Sequence, residues 1–364
     1  MLNKHSSFSI LSGRLKRGYY VPALTGVRAV AAYLVFLHHY NPAPPDTFAN
    51  RLFTHGYIGV SVFFVLSGFL MYHRYADDYL AQTSWSWRTY LQNRFARIFP
   101  LYALILIGTV SVNTATGKPV SWPLFGLNVT LLSGFFNEYK FSGIAQSWSL
   151  TVEVCFYLSA PLLFILLRRW GAFWLTIGLV GIGLLLWATV GQLAWHGSFS
   201  PFPFMMFYTF FGRAFEFIVG MWLSQKWRQN RLPSSGHATL WSLLLIVICV
   251  FWQASVSMFI ANPTSLFWNE VVVYNYVLPV GIGLFLMGLL RENSIIHLIL
   301  SQPIFQHLGH SSYAFYLIHI GVIPSGLRKL GVTNNWLLFG LLVLIAYGLY
   351  VVVEKPCQRW LLRR

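Results

Sequence analysis

The stretch LTGVRAVAAYLVFLHHY, residues 24–40, is apolar enough to enter a membrane, yet it carries Arg28 near its start and His38 and His39 at its end. Inserting such a charge costs about 3 kcal/mol, so charged residues within membrane helices usually face a polar interior. Arg28 and His39 are 11 residues apart, which on a helix is three turns plus roughly 20° and a rise of about 16 Å. Both side chains are therefore predicted to face one cavity; the alternative is a snorkelling arginine and an interfacial histidine.

The composition predicts an all-α, multi-pass membrane protein. Hydrophobic residues make up 56% of the 364 residues and charged residues only 9%, whereas a soluble protein has about 25%. We predict a single membrane domain over 22–354, with a cytoplasmic tail over 1–21 and a basic cytoplasmic tail over 355–364. Ten helices are expected to span at about 22–40, 56–73, 98–115, 148–168, 172–193, 203–225, 239–260, 270–290, 310–327 and 334–353. The segment 120–136 is predicted to be re-entrant or interfacial, with an eleventh span as the alternative.

The formal net charge of +16 does not require a nucleic-acid partner, because basic residues accumulate in the cytoplasmic loops of membrane proteins. With a cytoplasmic N-terminus, the inner segments hold roughly 18 basic residues and the outer segments about 5. Both termini are therefore expected in the cytoplasm. The N-terminal segment lacks the pattern of a cleaved signal peptide, and the three cysteines show no metal or disulfide spacing.

A buried carboxylate is expected in SWSLTVEVCFYLSAP, residues 147–161, which opens the fourth span from the outer side. Glu153 lies about one and a half turns into this span, at a depth similar to that of His39. A carboxylate–imidazole pair would make a general base. A salt bridge to Arg28 or Arg213 is the alternative, and the sequence does not decide between the two.

Further polar residues lie in or beside the other spans. Arg94 and Arg97 share one helix face in RFARIFPLY, residues 94–102, where they are either ordinary cytoplasmic charges or a phosphate-binding pair. Ser67 and Gly68 are predicted to allow close helix packing. The remaining candidates are an ion pair of Arg213 with Glu216, the polar residues Tyr313, Tyr316 and His319, and Glu354 within reach of Arg94 or Arg97.

These motifs occur together, in this order, in one known family. The chain resembles the membrane-bound acyltransferase-3 family, which transfers acyl groups to bacterial surface carbohydrates. The resemblance rests on LTGVRAVAAYLVFLHH, GVSVFFVLSGFLM, RFARIFPLY, WSLTVEVCFYLSAPLL, SSYAFYLIH and VEKP.

The resemblance implies about ten helices around a central pore in the bacterial inner membrane. It implies acyl-CoA, by default acetyl-CoA, as the cytoplasmic donor substrate, with no permanently bound cofactor. The implied acceptor is a glycan or lipid-linked saccharide such as exopolysaccharide, O-antigen or lipo-oligosaccharide. Many members carry an esterase-like domain after the membrane part; this chain stops at Arg364, so it either completes the transfer alone or passes the acyl group to a separate periplasmic protein.

The resemblance also implies roles for particular residues. The family's arginine–ten residues–histidine motif matches Arg28 and His39, its paired arginines match Arg94 and Arg97, and its tryptophan–serine–leucine segment with a glutamate matches Trp148, Ser149, Leu150 and Glu153. The predicted sites are a catalytic set of His39, Glu153 and Arg28, a donor-binding set of Arg94 and Arg97, and a substrate-binding set of Trp148, Ser67, Tyr316 and His319. The chain departs from many relatives at Thr25 and Ser61, where they have acidic residues.

The expected mechanism has His39 as a general base or a transient acyl carrier. Glu153 would hold the imidazole in its useful tautomer, and Arg28 would steady the donor or the oxyanion. Two other functions fit intramembrane Arg, His and Glu: a proton-coupled exporter of an acyl donor or glycan intermediate, and a structural membrane subunit. No metal site and no nucleic-acid partner are expected.

Overall fold

The computed structural model describes residues 20–83, 85–232 and 236–362, and these residues form helices and turns without a β-strand. The predicted tail over 1–21 lies, as far as residue 19, outside the described residues, and so do the last two residues of the tail over 355–364. The α-helices are α1 (Pro22–His39), α2 (Phe48–Thr54), α3 (Ile58–Ala81), α4 (Trp87–Ala115), α5 (Trp122–Val129), α6 (Ser147–Ala188), α7 (Phe202–Tyr208), α8 (Phe210–Arg228), α9 (Ala238–Val256), α10 (Pro263–Val272), α11 (Leu278–Arg291), α12 (Ile295–Leu300), α13 (Pro303–His310), α14 (Ser312–Ile318), α15 (Val322–Lys329), α16 (Asn335–Leu349) and α17 (Lys355–Leu361).

Seven helical stretches among the described residues are long and apolar enough to cross a membrane. Some join neighbouring helices, because π-helical turns connect α10 to α11 and α16 to α17. The prediction of a multi-pass helical membrane protein is confirmed. The seven stretches are Phe48–Ala81, Trp87–Ala115, Ser147–Leu193, Phe202–Arg228, Ala238–Val256, Pro263–Arg291 and Asn335–Leu361.

The longest helix, α6, reverses direction at Gly171. That residue has φ 77° and ψ 172°, a conformation that favours glycine. A straight helix of 42 residues would be about 63 Å long, but the segments that flank α6 meet: the rings of Phe136 and Trp195 are 5.2 Å apart, and those of Tyr139 and His196 are 4.9 Å apart. The two halves of α6 are therefore separate antiparallel crossings, at the two places predicted.

Two further predicted crossings are not among the seven stretches. The first is α1, an 18-residue helix interrupted by no turn. The second is built from α13 and α14, which run parallel to α1: Gly309 packs against the backbone of Thr25, and the His319 ring lies 5.2 Å from the His39 ring. With these two, and with α6 divided, the described residues make about ten crossings.

The bounds predicted for the ninth crossing, 310–327, were wrong. The crossing is made by residues 303–318, and the chain then leaves the helix at Gly321, which has φ 107°. The helix that follows, α15, is a separate element of eight residues. The apolar run continues across this break, so hydropathy alone does not reveal it.

The doubtful segment 120–136 contains the eight-residue helix α5 and a short 3-10 turn over Ser133–Phe135. A membrane crossing needs about 17 residues or more. This segment is therefore too short to be an eleventh crossing.

The centre of the bundle is the close packing of α3 against α8. A Cβ atom on Gly68 would lie 2.1 Å from the carbonyl oxygen of Phe217, and one on Gly220 would lie 2.0 Å from that of Val65. Glycines at these two positions let the backbones approach to contact distance. The packing role predicted for Gly68 is confirmed.

The two ends of the bundle are named here by the polar residues of α1. The Arg28 end also contains Asp77, which accepts a hydrogen bond from Arg228, and Glu292, which accepts hydrogen bonds from the backbone N–H groups of Ala238 (2.5 Å) and Thr239 (3.1 Å) at the start of α9. Burial opposes ionisation of Glu292, but these hydrogen bonds prevail and lower the pKa of its carboxyl. The His39 end contains the loops before α6 and after α14.

Candidate functional site

A cavity of about 720 Å³ opens within the bundle, lined mainly by side chains of α1, α3, α4, α6 and α14. This volume lies in the range of small-molecule binding sites. Six of the nine predicted site residues line it, namely Arg28, Ser67, Arg94, Arg97, Glu153 and Tyr316. The other three, His39, Trp148 and His319, lie outside its lining.

The two arginines predicted to form a pair have different surroundings. Arg94 donates through Nη2 to the Tyr75 hydroxyl (2.9 Å), and its guanidinium lies 5.2 Å and 5.5 Å from the ring centres of Tyr75 and Tyr157. Cation–π contacts of this kind hold a guanidinium in one orientation. Arg94 is thus fixed by the protein itself.

Arg28 and Arg97, in contrast, lie near each other in the cavity wall. No described residue forms a hydrogen bond or salt bridge with either guanidinium, and their positive charges repel. The nearby opposite charges are those of Glu354, which is only 4% exposed and interacts electrostatically with both arginines, and of Glu153, which interacts with Arg28. The sequence predicted that Glu354 is within reach of Arg94 or Arg97; its charge interacts with that of Arg97, and its hydrogen bond comes from Gln358, at 3.2 Å.

Glu153 occupies the middle of the cavity wall. Its Oε1 accepts hydrogen bonds from the Ser67 hydroxyl (3.0 Å) and from the Tyr157 hydroxyl. Tyr157 follows one turn later on α6, and Ser67 comes from α3. Among the described residues, neither the His39 imidazole nor a guanidinium of Arg28 or Arg213 forms a hydrogen bond with this carboxylate, although its charge interacts with that of Arg28.

Arg213 does not reach Glu153 because it is engaged within α8. Its Nε and Nη2 each donate to a carboxylate oxygen of Glu216 at 2.8 Å, and Nη2 also donates to the Ser61 hydroxyl at 3.1 Å. Glu216 is completely buried. The predicted ion pair is confirmed, and Ser61 completes it.

The His39 end carries a cluster of histidines. The ring of His39 lies 4.6 Å from that of His38 and 5.2 Å from that of His319. His38 Nδ1 lies 2.5 Å from the Thr54 carbonyl oxygen. His319 is completely buried, and its Nδ1 lies 2.7 Å from the Tyr316 carbonyl oxygen. The imidazole next to His39 across the helix interface is therefore His319, which directly follows α14.

One hydrogen-bonded pair stands between the cavity and these histidines. The hydroxyls of Tyr316 and Ser149 are 2.8 Å apart, both residues line the cavity, and the Tyr316 ring lies 5.6 Å from that of His319. Gln146, directly before α6, connects α6 to α14, because its Nε2 donates to the carbonyl oxygens of Tyr316 (3.0 Å) and Leu317 (2.7 Å). Tyr316 is thus the link between the two parts of the site.

Trp148 points elsewhere, although it neighbours Ser149 in sequence. Its ring packs at 4.9 Å against that of Tyr208 at the His39 end. Lys140 lies over the same Tyr208 ring, at 5.1 Å. Adjacent residues on a helix point about 100° apart, so Ser149 and Trp148 do not share one site.

The sequence interpretation missed Tyr157 and Tyr75 as functional candidates, and it named Ser149 only as part of the family's tryptophan–serine–leucine segment. A helical spacing of four puts Ser149, Glu153 and Tyr157 on one face of α6, and this pattern was available in the sequence. Tyr75 had no such signal, since its contact with Arg94 joins two different helices.

The arrangement suits a reaction between two substrates that enter from opposite ends. Guanidinium groups without a protein acceptor bind anions such as phosphate. An imidazole at the other end can accept a proton from a hydroxyl and return it to a leaving group during a reaction. The cavity between them ends at the Tyr316–Ser149 pair, close to the histidines.

Comparisons with known proteins identify relatives of this chain. The family model described as "Acyltransferase domain" matches residues 21–355. The chain is 28% identical to "Acyltransferase MdmB" of Streptomyces mycarofaciens, over 94% of this chain and 93% of that protein. It is 25% identical to "Putative peptidoglycan O-acetyltransferase YrhL" of Bacillus subtilis (strain 168), over 93% of this chain but only 55% of that protein. No solved structure matches the chain.

Proposed function

The chain belongs to the acyltransferase family that these comparisons identify, and we propose that it takes an acyl group from acyl-CoA and transfers it to a hydroxyl of a surface glycan. The transferred group in this proposal is acetyl. The acceptor is a saccharide of the exopolysaccharide, O-antigen or lipo-oligosaccharide type. The observation that carries the proposal is the cavity itself, with two guanidiniums at one end that have no hydrogen-bonded partner among the described residues and a boundary next to a histidine pair at the other.

The Arg28 end supports acyl-CoA as the donor. Coenzyme A carries several phosphate groups at one end and a thioester at the other. Arg28 and Arg97 would bind those phosphates through charge-assisted hydrogen bonds, which also relieves the repulsion between the two guanidiniums. Arg94, held by Tyr75 and Tyr157, adds a third positive charge to the same wall.

The His39 end supports activation of an acceptor hydroxyl. His39 takes the hydroxyl proton while the acceptor oxygen attacks the thioester carbonyl carbon. The carbon–sulfur bond then breaks, and His39 returns the proton to the thiolate, leaving an ester and free coenzyme A. The thioester has to approach through the Tyr316–Ser149 boundary, because both residues line the cavity and Tyr316 touches the histidine cluster.

The orientation in the membrane is part of the same proposal. In this proposal the chain lies in the bacterial inner membrane, and the Arg28 end of the bundle faces the cytoplasm. Both termini are then cytoplasmic, as the concentration of basic residues in cytoplasmic loops predicts. Acyl-CoA is made in the cytoplasm, so this orientation would deliver it directly to the arginines.

The test is the replacement His39→Ala, with His307→Ala as the matched control. His307 lies elsewhere, with its ring 5.8 Å from that of Tyr347. We expect His39→Ala to lower acetyl transfer by at least about 100-fold, the usual contribution of a general base, while the control keeps wild-type transfer. The measurements are the acetyl content of purified surface glycan and the release of coenzyme A by protein in lipid vesicles.

Two results would contradict the proposal. Full acetyl transfer by His39→Ala would remove the proposed base. Movement of acyl-CoA or glycan across vesicles by the wild-type protein, without release of coenzyme A, would favour the exporter function instead.

A further inference from the structure

The ring of His319 has one nitrogen whose protonation is set by its surroundings. Nδ1 lies 2.7 Å from the Tyr316 carbonyl oxygen, and a carbonyl can only accept a hydrogen bond. Nδ1 therefore carries the proton, and Nε2 has a lone pair. Nε2 is buried and has no hydrogen-bond partner among the described residues. A buried acceptor without a donor is rare in folded proteins and calls for a partner.

The candidates for that partner are few. Phe315 stacks on the His319 ring at 6.3 Å with the planes 7° apart, and it offers no polar atom. The Tyr316 hydroxyl is already paired with Ser149. Among the described residues, the remaining polar ring in contact is that of His39, 5.2 Å away between ring centres.

We propose that His319 is a positioning residue for His39, and this inference rests on the proposed acyl transfer. Nε2 of His319 accepts the N–H of His39 when the acceptor docks, and the other nitrogen of His39 then presents its lone pair to the acceptor hydroxyl. This is the role that the sequence analysis gave to Glu153, which the structure places with Ser67 and Tyr157 instead.

The step requires only a rotation of the His39 ring, since the terminal torsion of histidine has a broad range. His319 itself is held in place by its Nδ1–H bond and by Gln146, which donates to the carbonyl oxygens of Tyr316 and Leu317. When one ring nitrogen of His39 gains the hydroxyl proton, the N–H of the other ring nitrogen remains bonded to the neutral His319. The proton is not passed on, and His39 later returns it to the thiolate.

The experiment compares His319→Leu with His319→Gln, in the full-length protein in lipid vesicles with acetyl-CoA and purified surface glycan. Leucine removes the acceptor, and we expect kcat to fall about 100-fold while KM for acetyl-CoA stays within twofold. The glutamine side-chain oxygen can replace Nε2 as acceptor, so His319→Gln should recover kcat to within about fivefold of wild type. In a His39→Ala background, His319→Leu should cause no further loss, because it acts through His39.

Wild-type kcat in His319→Leu would overturn the proposal, and so would an equal loss in His319→Gln or an additive loss in the double variant. A measurement without substrate separates this inference from the proposed function. In protein with 15N-labelled histidine, the ring nitrogen shifts should show His319 as the Nδ1–H tautomer, and the His39 signals should move on replacement by leucine. A His319 ring protonated at Nε2 would overturn the inference, whereas absence of acyl transfer by the wild-type protein would overturn the proposed function.

Discussion

The centre of α8 and the wall of the cavity each hold positive charge inside the bundle, but its surroundings are opposite in the two places. In α8, Arg213 has a complete set of acceptors in Glu216 and Ser61. In the cavity wall, Arg28 and Arg97 have no hydrogen-bonded acceptor among the described residues, and they repel each other. The first arrangement satisfies its charge within the protein, while the second leaves charge for a ligand to satisfy.

This difference separates a structural ion pair from a binding site more clearly than burial does. A buried ion pair contributes little net stability, but removing one partner is strongly destabilising because the other charge is left unpaired. When a cation that has no hydrogen-bonded acceptor in the protein is removed from a cavity, we expect little loss of stability but a loss of ligand affinity. The predictions below test the two regions against each other.

The largest expected effect on stability is that of Glu216→Ala. It leaves Arg213 as an unpaired charge in a site where Glu216 was completely buried, and we expect a loss of about 3–5 kcal/mol. Thermal unfolding of the purified protein in detergent measures this loss. Replacing both residues, as Arg213→Met with Glu216→Leu, should restore much of it. An unfolding temperature equal to that of wild type in Glu216→Ala would show that the pair is not structurally important.

The second-largest expected effect is that of Arg97→Gln on the affinity for the donor. We expect the affinity for coenzyme A to fall about 30-fold, or about 2 kcal/mol, because one charge-assisted contact to phosphate is lost. The unfolding temperature should stay close to that of wild type, since the lost repulsion with Arg28 offsets the lost attraction to the buried Glu354 carboxylate. Calorimetric titration with coenzyme A is the measurement, with Arg169→Gln as a control on an exposed basic residue elsewhere. Unchanged affinity in Arg97→Gln would exclude the cavity wall as the phosphate site.

The smallest effect is that of Ser61→Ala. Arg213 keeps both bonds to Glu216 and loses only the hydroxyl acceptor at 3.1 Å, so we expect a loss of about 1 kcal/mol. Donor affinity should not change. A loss as large as that of Glu216→Ala would mean that Ser61, and not Glu216, satisfies the guanidinium.

The sequence predicted the features that depend on one helix and missed those that depend on contacts between helices. The i,i+3 pair of Arg213 with Glu216 follows from helix periodicity alone, whereas the 11-residue spacing on α1 did not place Arg28 and His39 in one cavity, since only Arg28 lines it. One of the two hydrogen-bond partners of Glu153 does not follow from periodicity, because Ser67 is brought to it by the packing of α3 against α6. The neighbour of His39 is likewise set by the path of α14, which ends before Gly321 rather than continuing along the apolar run.

The central claim is that the donor binds at the Arg28 end and that His39 acts only on the transfer step. The most direct test measures the affinity for acetyl-CoA and the transfer rate in the same preparation of His39→Ala. The account predicts wild-type affinity together with a rate at least about 100-fold lower. Weakened donor binding, or transfer at the wild-type rate, would contradict it.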